Sequence, residues 1–252
     1  MAEEKIFNKY KDRGSVHWRE MMSRDPRRFN AFQQARYDWI IKTAGDMKGK
    51  RVLDLGCGDG SLTYMLCRAG AHVVGADNED MGIKFARENL ASQNVDNKLH
   101  YEFVVASAYS LPFENASFDI IAHCEVIEHL AEPERMLAEA KRVMKTDGKF
   151  IVTTPHRLHE FPKDPNHVRE FFPEELKALL QKFFPSVEIK LTHQIMWYAL
   201  HSYSVRHFGN RQLGFWLINA LTLWLGINPF NFDYKHPTKR DIFTEILAVC
   251  KS

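Results

Sequence analysis

The segment Arg51-Val-Leu-Asp-Leu-Gly-Cys-Gly-Asp-Gly60 is the strongest constraint on what this chain can fold into. Its first half is an apolar run of strand length, and its second half sets three glycines in five residues where the strand must turn into a helix. Glycines lack a Cβ and let the main chain approach a bound molecule. In an open α/β sheet, the carboxyl end of such a strand is where ligands bind.

The remainder of the chain alternates in the same way. Residues 1–25 are polar and mixed in charge, with Trp18 and the Met21-Met22 pair as their strong apolar features, and read as a flap or short helix. From 26 to 44, Phe29, Phe32, Ala35, Trp39 and Ile40 recur at helical spacing, predicting an amphipathic helix that covers the cleft. A helix over 61–68 and a strand over 71–77 complete a βαβ unit, and that second strand ends in Asp77. A carboxylate there can accept both hydroxyls of a ribose, the alternative being a helix N-cap. A helix over 78–93 and strands over 99–105 and 118–124 follow. A helix over 133–145 and strands over 149–153, 186–192 and 242–250 complete the pattern. A doubly wound, Rossmann-like parallel sheet of seven strands is the economical architecture. The expected divisions are an N-terminal helical cap (1–47), an α/β domain (48–193), an apolar aromatic insertion (194–240) and the last strand (241–252).

With 252 residues, 45% of them apolar, the chain can bury one such domain with additions. Its 34 basic and 32 acidic residues leave a net charge of +2, so no global field draws nucleic acid or an anionic membrane. Cys57, Cys67, Cys124 and Cys250 show no zinc-like spacing and suit a reduced, cytoplasmic protein. The acidic N-terminus does not read as a secretory signal.

Asp54 to Gly60, Asp77, Leu111-Pro-Phe113 with Phe118-Asp119, and the run from Leu137 to Gly148 before Phe150-Ile-Val-Thr-Thr-Pro155 occur in a characteristic order. Together they resemble the class I S-adenosylmethionine-dependent methyltransferases over residues 48–193. A nicotinamide fold competes, but Ser61 stands where the dinucleotide fingerprint has its third glycine. The resemblance implies that Asp54, Gly56, Cys57 and Gly58 line the methionine end of S-adenosylmethionine. It further implies that Asp77 holds the ribose, that Asn78 and Met81 flank the adenine, that Ser107 and Ala108 lie beside its amino group, and that Cys124 faces the methyl group.

A second constellation follows the fourth strand. In Cys124-Glu-Val-Ile-Glu-His-Leu130, a helical turn would put Glu125, Glu128 and His129 on one side, a plausible half of a divalent metal site. The segment Asn166-His-Val-Arg-Glu-Phe-Phe-Pro-Glu-Glu-Leu176 offers His167 as the other half. The pair resembles ubiquinone-biosynthetic O-methyltransferases and also small-RNA 3′-terminal 2′-O-methyltransferases. That likeness implies a magnesium or manganese ion on Glu125, Glu128, His129 and His167, oriented toward a diol or catechol. Without a metal, Glu128 or His129 would cap the helix, or His129 would act as a general base. His156 and His159 fall in a loop expected to border the acceptor, although a solvated loop accounts for His159 equally. Arg157 and Arg169 read as surface residues or as contacts to an anionic substrate.

Between the last two strands, residues 212–232 carry no charged side chain and approach the length of a bilayer span. Asn219, Asn228, Pro229 and two glycines interrupt the run, and a crossing would strand the final β-strand on the wrong side. The insertion is therefore expected either to pack as a helical lid or to meet a lipid or aromatic substrate. His201, Arg206, His207 and Arg211 near its start could face anionic headgroups. The expected function is O-methylation of a small hydroxylated aromatic or lipid-like acceptor, with peripheral membrane contact left open. RNA 2′-O-methylation, disfavoured by the lack of a basic tract, and a non-catalytic cofactor-binding partner subunit are the alternatives.

Overall fold

The computed structural model describes residues 9–94, 96, 98–159, 162, 164–202, 213–234, 238 and 241–252. Seven strands form one sheet: β1 (Arg51–Leu55), β2 (His72–Asp77), β3 (His100–Val105), β4 (Phe118–Cys124), β5 (Met144–Pro155), β6 (Ser186–Gln194) and β7 (Phe243–Lys251). Their order is β3-β2-β1-β4-β5-β7-β6. The expectation of a wholly parallel sheet is corrected at one strand. Pairs among the first five are parallel, whereas β7 inserts between β5 and β6 and runs antiparallel to both. The order reverses between β1 and β4, so a crevice opens at their carboxyl ends, as the glycine turn requires.

Burial on both faces explains why the strands read as apolar runs rather than as alternations. Leu53 and Leu55 of β1 join a core on one side with Met136, Leu137, Phe150 and Leu180. Val52, one residue out of phase, joins the opposite core with Trp39, Ile40, Leu66 and Leu247. Helices α4 (Ser61–Arg68), α5 (Asp80–Gln93), α6 (Pro133–Val143) and α7 (Pro173–Gln181) accompany the strands. Proline opens both α6 and α7, where its missing N–H is no loss.

Before the sheet come α1 (Lys9–Arg13), α2 (Val16–Met22) and α3 (Ala31–Ala44). The last begins five residues later than expected, because Asn30 caps it by accepting the Gln33 amide at 3.0 Å. Within the insertion lie α8 (Ile195–Ser202) and α9 (Leu213–Leu225), and no described helix is long and apolar enough to cross a membrane. Residues Arg206, His207 and Arg211 lie outside the described residues. Ile218 and Phe230 pack with Phe29, Ala31 and Ala35 as a third core. The polar centre of that contact is Asn219, fully buried. Its Oδ1 accepts the Ala31 amide at 3.0 Å, and its Nδ2 donates to the carbonyls of Pro26 (2.9 Å) and Phe29 (2.5 Å).

Substituting Asn219→Leu leaves those three backbone groups buried without partners. A loss of about 2–4 kcal/mol is expected in urea unfolding, since each orphaned buried group costs roughly 1–3 kcal/mol and part is recovered by water. An unchanged midpoint would show that α9 is not anchored there.

His123, fully buried in β4, donates from Nδ1 to the Leu55 carbonyl at 2.9 Å, and burial lowers its pKa to about 4. A histidine whose folded pKa is depressed loses stability as pH falls from its unfolded value near 6.5 toward the folded one. Relative to His123→Phe, the native chain should therefore lose up to about 3 kcal/mol between pH 7 and pH 4, at about 1.4 kcal/mol for each pH step between those two values. Parallel stability curves for the two proteins would refute this.

Candidate active site

A cleft of about 590 Å³ lies at the carboxyl ends of β1, β2 and β4 and is walled by α1, α2 and α3. At its floor, Gly56 has φ +84°, and a Cβ there would collide with Val126 from the β4 side. Only glycine serves at such a turn. Asp54, buried beneath it, accepts the Thr63 hydroxyl at 2.6 Å, and burial pushes its carboxyl up to about 7. Asp77 accepts the Gly58 amide on Oδ2 at 2.8 Å and the Glu79 amide on Oδ1 at 2.9 Å. Burial raises its pKa and these amides pull it back. Each oxygen keeps a second lone pair for a ligand hydroxyl.

Asn78, Cys57, Ala108 and Cys124 line the cleft as expected, together with Ala106 and Tyr109. Met81 and Ser107 are not on that wall. The Ser107 hydroxyl accepts the Tyr109 amide at 3.1 Å and so stabilises the turn after β3.

The cap is tied to the sheet by two acids to which the sequence motifs assign no role. Glu79 accepts the Tyr10 amide at 2.8 Å, and Asp59 accepts the Trp18 amide at 3.0 Å. The Tyr10 hydroxyl sits where a Cβ on Gly58 would be. His17 lies between Lys9 Nζ (3.0 Å from Nε2) and the Tyr10 hydroxyl (3.2 Å from Nδ1), and burial followed by the Lys9 charge lowers its pKa to about 3.

At the other end, the backbone leaves β4 through Glu125 in the left-handed region, φ +57°, a conformation that non-glycine residues hold only under constraint. A 3₁₀ turn, Ile127–His129, follows. Glu128 is buried, accepts the Thr154 hydroxyl at 3.0 Å, and is held well above the usual carboxyl range by burial and the nearby Glu125. Its own carbonyl accepts the amides of Val168 (2.8 Å) and Arg169 (3.1 Å), which pins the His167 loop to the turn.

His129 donates from Nδ1 to the Asn166 carbonyl at 3.1 Å, and His167 from Nδ1 to Glu170 at 2.9 Å. A hydrogen bond to one ring nitrogen is how metal-ligating histidines are commonly oriented. Candidate ligand atoms of Glu128, His129 and His167 lie within 4.8 Å of one another. Two nitrogens and one oxygen at that spacing suit a divalent cation.

Glu125 is not brought into this group. Its carboxylate meets Arg36 at 2.7 Å, and the same guanidinium nitrogen reaches Glu245 of β7 at 2.8 Å. Arg36 is held charged by both acids, whereas burial and the Glu125 charge push Glu245 upward.

Arg36, Glu170 and Glu245 were not singled out from sequence, although each left a trace. Gln33, Arg36 and Tyr37 occupy one face of α3 at spacings of three and four, and all three line the cleft. Glu170 follows His167 by three residues, and Glu245 is a lone acid in an apolar strand. His156 and His159 border a separate open depression rather than the cleft, with Arg157 and Phe172. No described residue of the insertion lines the cleft, so the expected lid packs on α3 instead.

A family profile described as "Methyltransferase domain" matches residues 46–199. The fold and the cleft together define a class, and this chain belongs to the class I S-adenosylmethionine-dependent methyltransferase family. Among curated proteins it resembles the "Ubiquinone biosynthesis O-methyltransferase" of Aromatoleum aromaticum, at 37% identity over 48% of this chain and 50% of that one. A protein of the same name from Dinoroseobacter shibae is 32% identical over 59% of this chain and 64% of that one. The chain thus spans about half the length of several of the curated relatives it matches. Among solved structures, the fold resembles Haemonchus contortus phosphoethanolamine N-methyltransferase 2, with a TM-score of 0.65 at 17% identity over 98% of this chain and 60% of that one. The YcgJ protein of Bacillus subtilis gives 0.61 at 19% identity over 86% and 98%.

Removing the cation from the buried three-charge group strands two carboxylates. Arg36→Met should destabilise by about 3–5 kcal/mol. The double variant Arg36→Met with Glu245→Gln should recover part of that loss in denaturant titration. Failure to recover would assign the loss to packing alone.

Proposed function

We propose that this chain is an O-methyltransferase acting on a small hydroxylated aromatic or lipid-like acceptor, with a divalent cation held by Glu128, His129 and His167. The observation that carries the reading is the convergence of those three side chains at the methyl end of the cleft, both histidines oriented by their second nitrogens. The relatives' printed name, an O-methyltransferase of ubiquinone biosynthesis, supports a hydroxyl as the acceptor group.

In this reading the donor lies along the glycine turn. Asp77 accepts its ribose hydroxyls, Asn78 and Ala108 border its adenine, and Asp54, Gly56, Cys57 and Gly58 line its amino-acid end. S-adenosylmethionine supplies the electrophilic methyl carbon when bound. Magnesium or manganese, when bound, would supply a Lewis acid that lowers the acceptor's pKa. The chain's own residues hold the acceptor oxygen in line with the methyl carbon, so that the new O–C bond forms as the S–C bond breaks and its electron pair passes to sulfur. Without a bound cation, His129 would instead serve as the side-chain base for the hydroxyl proton, with its Nδ1 proton held by Asn166. Glu170 fixes the tautomer of His167. Arg36, engaged by Glu125 and Glu245, shapes the wall beside the acceptor.

The test separates donor from metal. S-adenosylmethionine binding by calorimetry should survive Glu128→Gln and His167→Ala but be lost in Asp77→Ala. Manganese binding, followed by electron paramagnetic resonance, should be abolished by the first two and weakened roughly 10–100-fold by Glu170→Gln. Methylation of a catechol should fall in step with manganese binding and with added chelator. Transfer indifferent to chelator would remove the metal, and absence of donor binding would remove the whole reading. Methylation of RNA 3′ ends in preference to catechols would replace the acceptor class.

A further inference from the structure

Among the described residues, nothing covers the outer face of α9. Leu213, Leu217, Leu221, Trp224 and Leu225 are 39, 41, 36, 62 and 65% exposed. Leu213, Leu217, Leu221 and Leu225 follow at four-residue steps, with Trp224 three residues after Leu221, along one stripe about 18 Å long at 1.5 Å per residue. Met196 and Leu200 of α8 are 56 and 41% exposed and extend the apolar surface. The helix is not loose: Asn219 anchors its inner side, and a Cβ on Gly214 would collide with the Leu200 carbonyl, so α8 and α9 approach as closely as glycine allows. A contiguous apolar face held out on a rigid support marks an interaction site.

Charge selects the occupant. No acidic residue occurs between 195 and 232, and the sequence on either side of α9 supplies Arg206, Arg211, Lys235, Lys239 and Arg240. Asn219 also grips the segment bearing exposed Arg24 and Arg28, while Arg27 is neutralised by Asp25. An apolar stripe beside basic residues complements an anionic lipid surface. A second copy of the chain would set like charges against each other. At 13 residues α9 is far shorter than the roughly 20 needed to span a bilayer.

We propose that α8 and α9 form a membrane-docking surface that lies flat in the headgroup region of an anionic bilayer, with the α9 stripe inserted and Arg24 and Arg28 on lipid phosphates. The same helix α3 that receives Asn219 presents Gln33, Arg36 and Tyr37 to the cleft, so docking fixes the cleft at a set height above the lipid. The inference does not depend on which acceptor is methylated.

Co-sedimentation of the full chain with vesicles of phosphatidylglycerol and phosphatidylcholine, against phosphatidylcholine alone, tests it without any methyl acceptor. Native protein should sediment with the anionic vesicles and stay largely in solution with the neutral ones. Leu217→Gln/Leu221→Gln/Trp224→Gln should lower the partition more than tenfold, since three apolar side chains no longer enter the hydrocarbon boundary. Arg24→Gln/Arg28→Gln should lower it by roughly fivefold per arginine. An unchanged melting temperature certifies the fold, and the single variant Trp224→Gln serves if the triple variant does not fold. Native protein that ignores both vesicles overturns the proposal, as does a triple variant that binds like the native chain. So does a native dimer that dissociates in the triple variant without any vesicle binding, which would make the stripe a contact between copies.

Discussion

One guanidinium lies between two carboxylates at the β4 end of the cleft, and much of the tertiary arrangement passes through it. Arg36 comes from α3, Glu125 from the exit of β4 and Glu245 from β7, segments far apart in sequence. A buried charge trio of this kind contributes little net stability compared with an apolar equivalent, but once formed it tolerates no missing member. It holds Glu125 in the left-handed conformation that lets the chain turn directly into the Ile127–His129 segment. With Glu125 so engaged, the metal-type group is a set of three rather than four.

Helix α3 is therefore a shared part. One face bears on the sheet through Trp39 and Ile40, another receives Ile218 and Phe230, and a third lines the cleft. A helix in contact on three sides shows almost no amphipathic contrast, which is why its apolar spacing suggested a cover but not the role of Arg36. The insertion follows the same logic. Its apolar residues outnumber the positions that α3 can cover, and the surplus faces outward as the α9 stripe.

The parts legible in the sequence were those set by local chemistry. The glycine turn, the acid ending β2 and the strand runs each follow from backbone rules that act over a few residues; each is found near where the pattern put it, except that β5 begins at Met144, five residues before the expected strand. His129 and His167 were legible as a pair only through family resemblance, since a gap of 38 positions carries no geometric information by itself. The antiparallel course of β7, the turning of Glu125 toward Arg36, and the displacement of Met81 and Ser107 from the cleft wall depend on contacts between distant segments. Nothing in the local sequence encodes them. Glu170 and Glu245 were visible as letters, but their burial was not.

The carbonyl of Glu128 takes two amide hydrogen bonds from the loop that carries His167. The turn and the loop are thus registered to each other by main-chain bonds, to which the His129 side chain adds one at the Asn166 carbonyl. The main-chain bonds from Val168 and Arg169 do not depend on which side chains stand at 128 and 167. The backbone thus fixes where side chains at 128 and 167 stand relative to each other, whatever those side chains are.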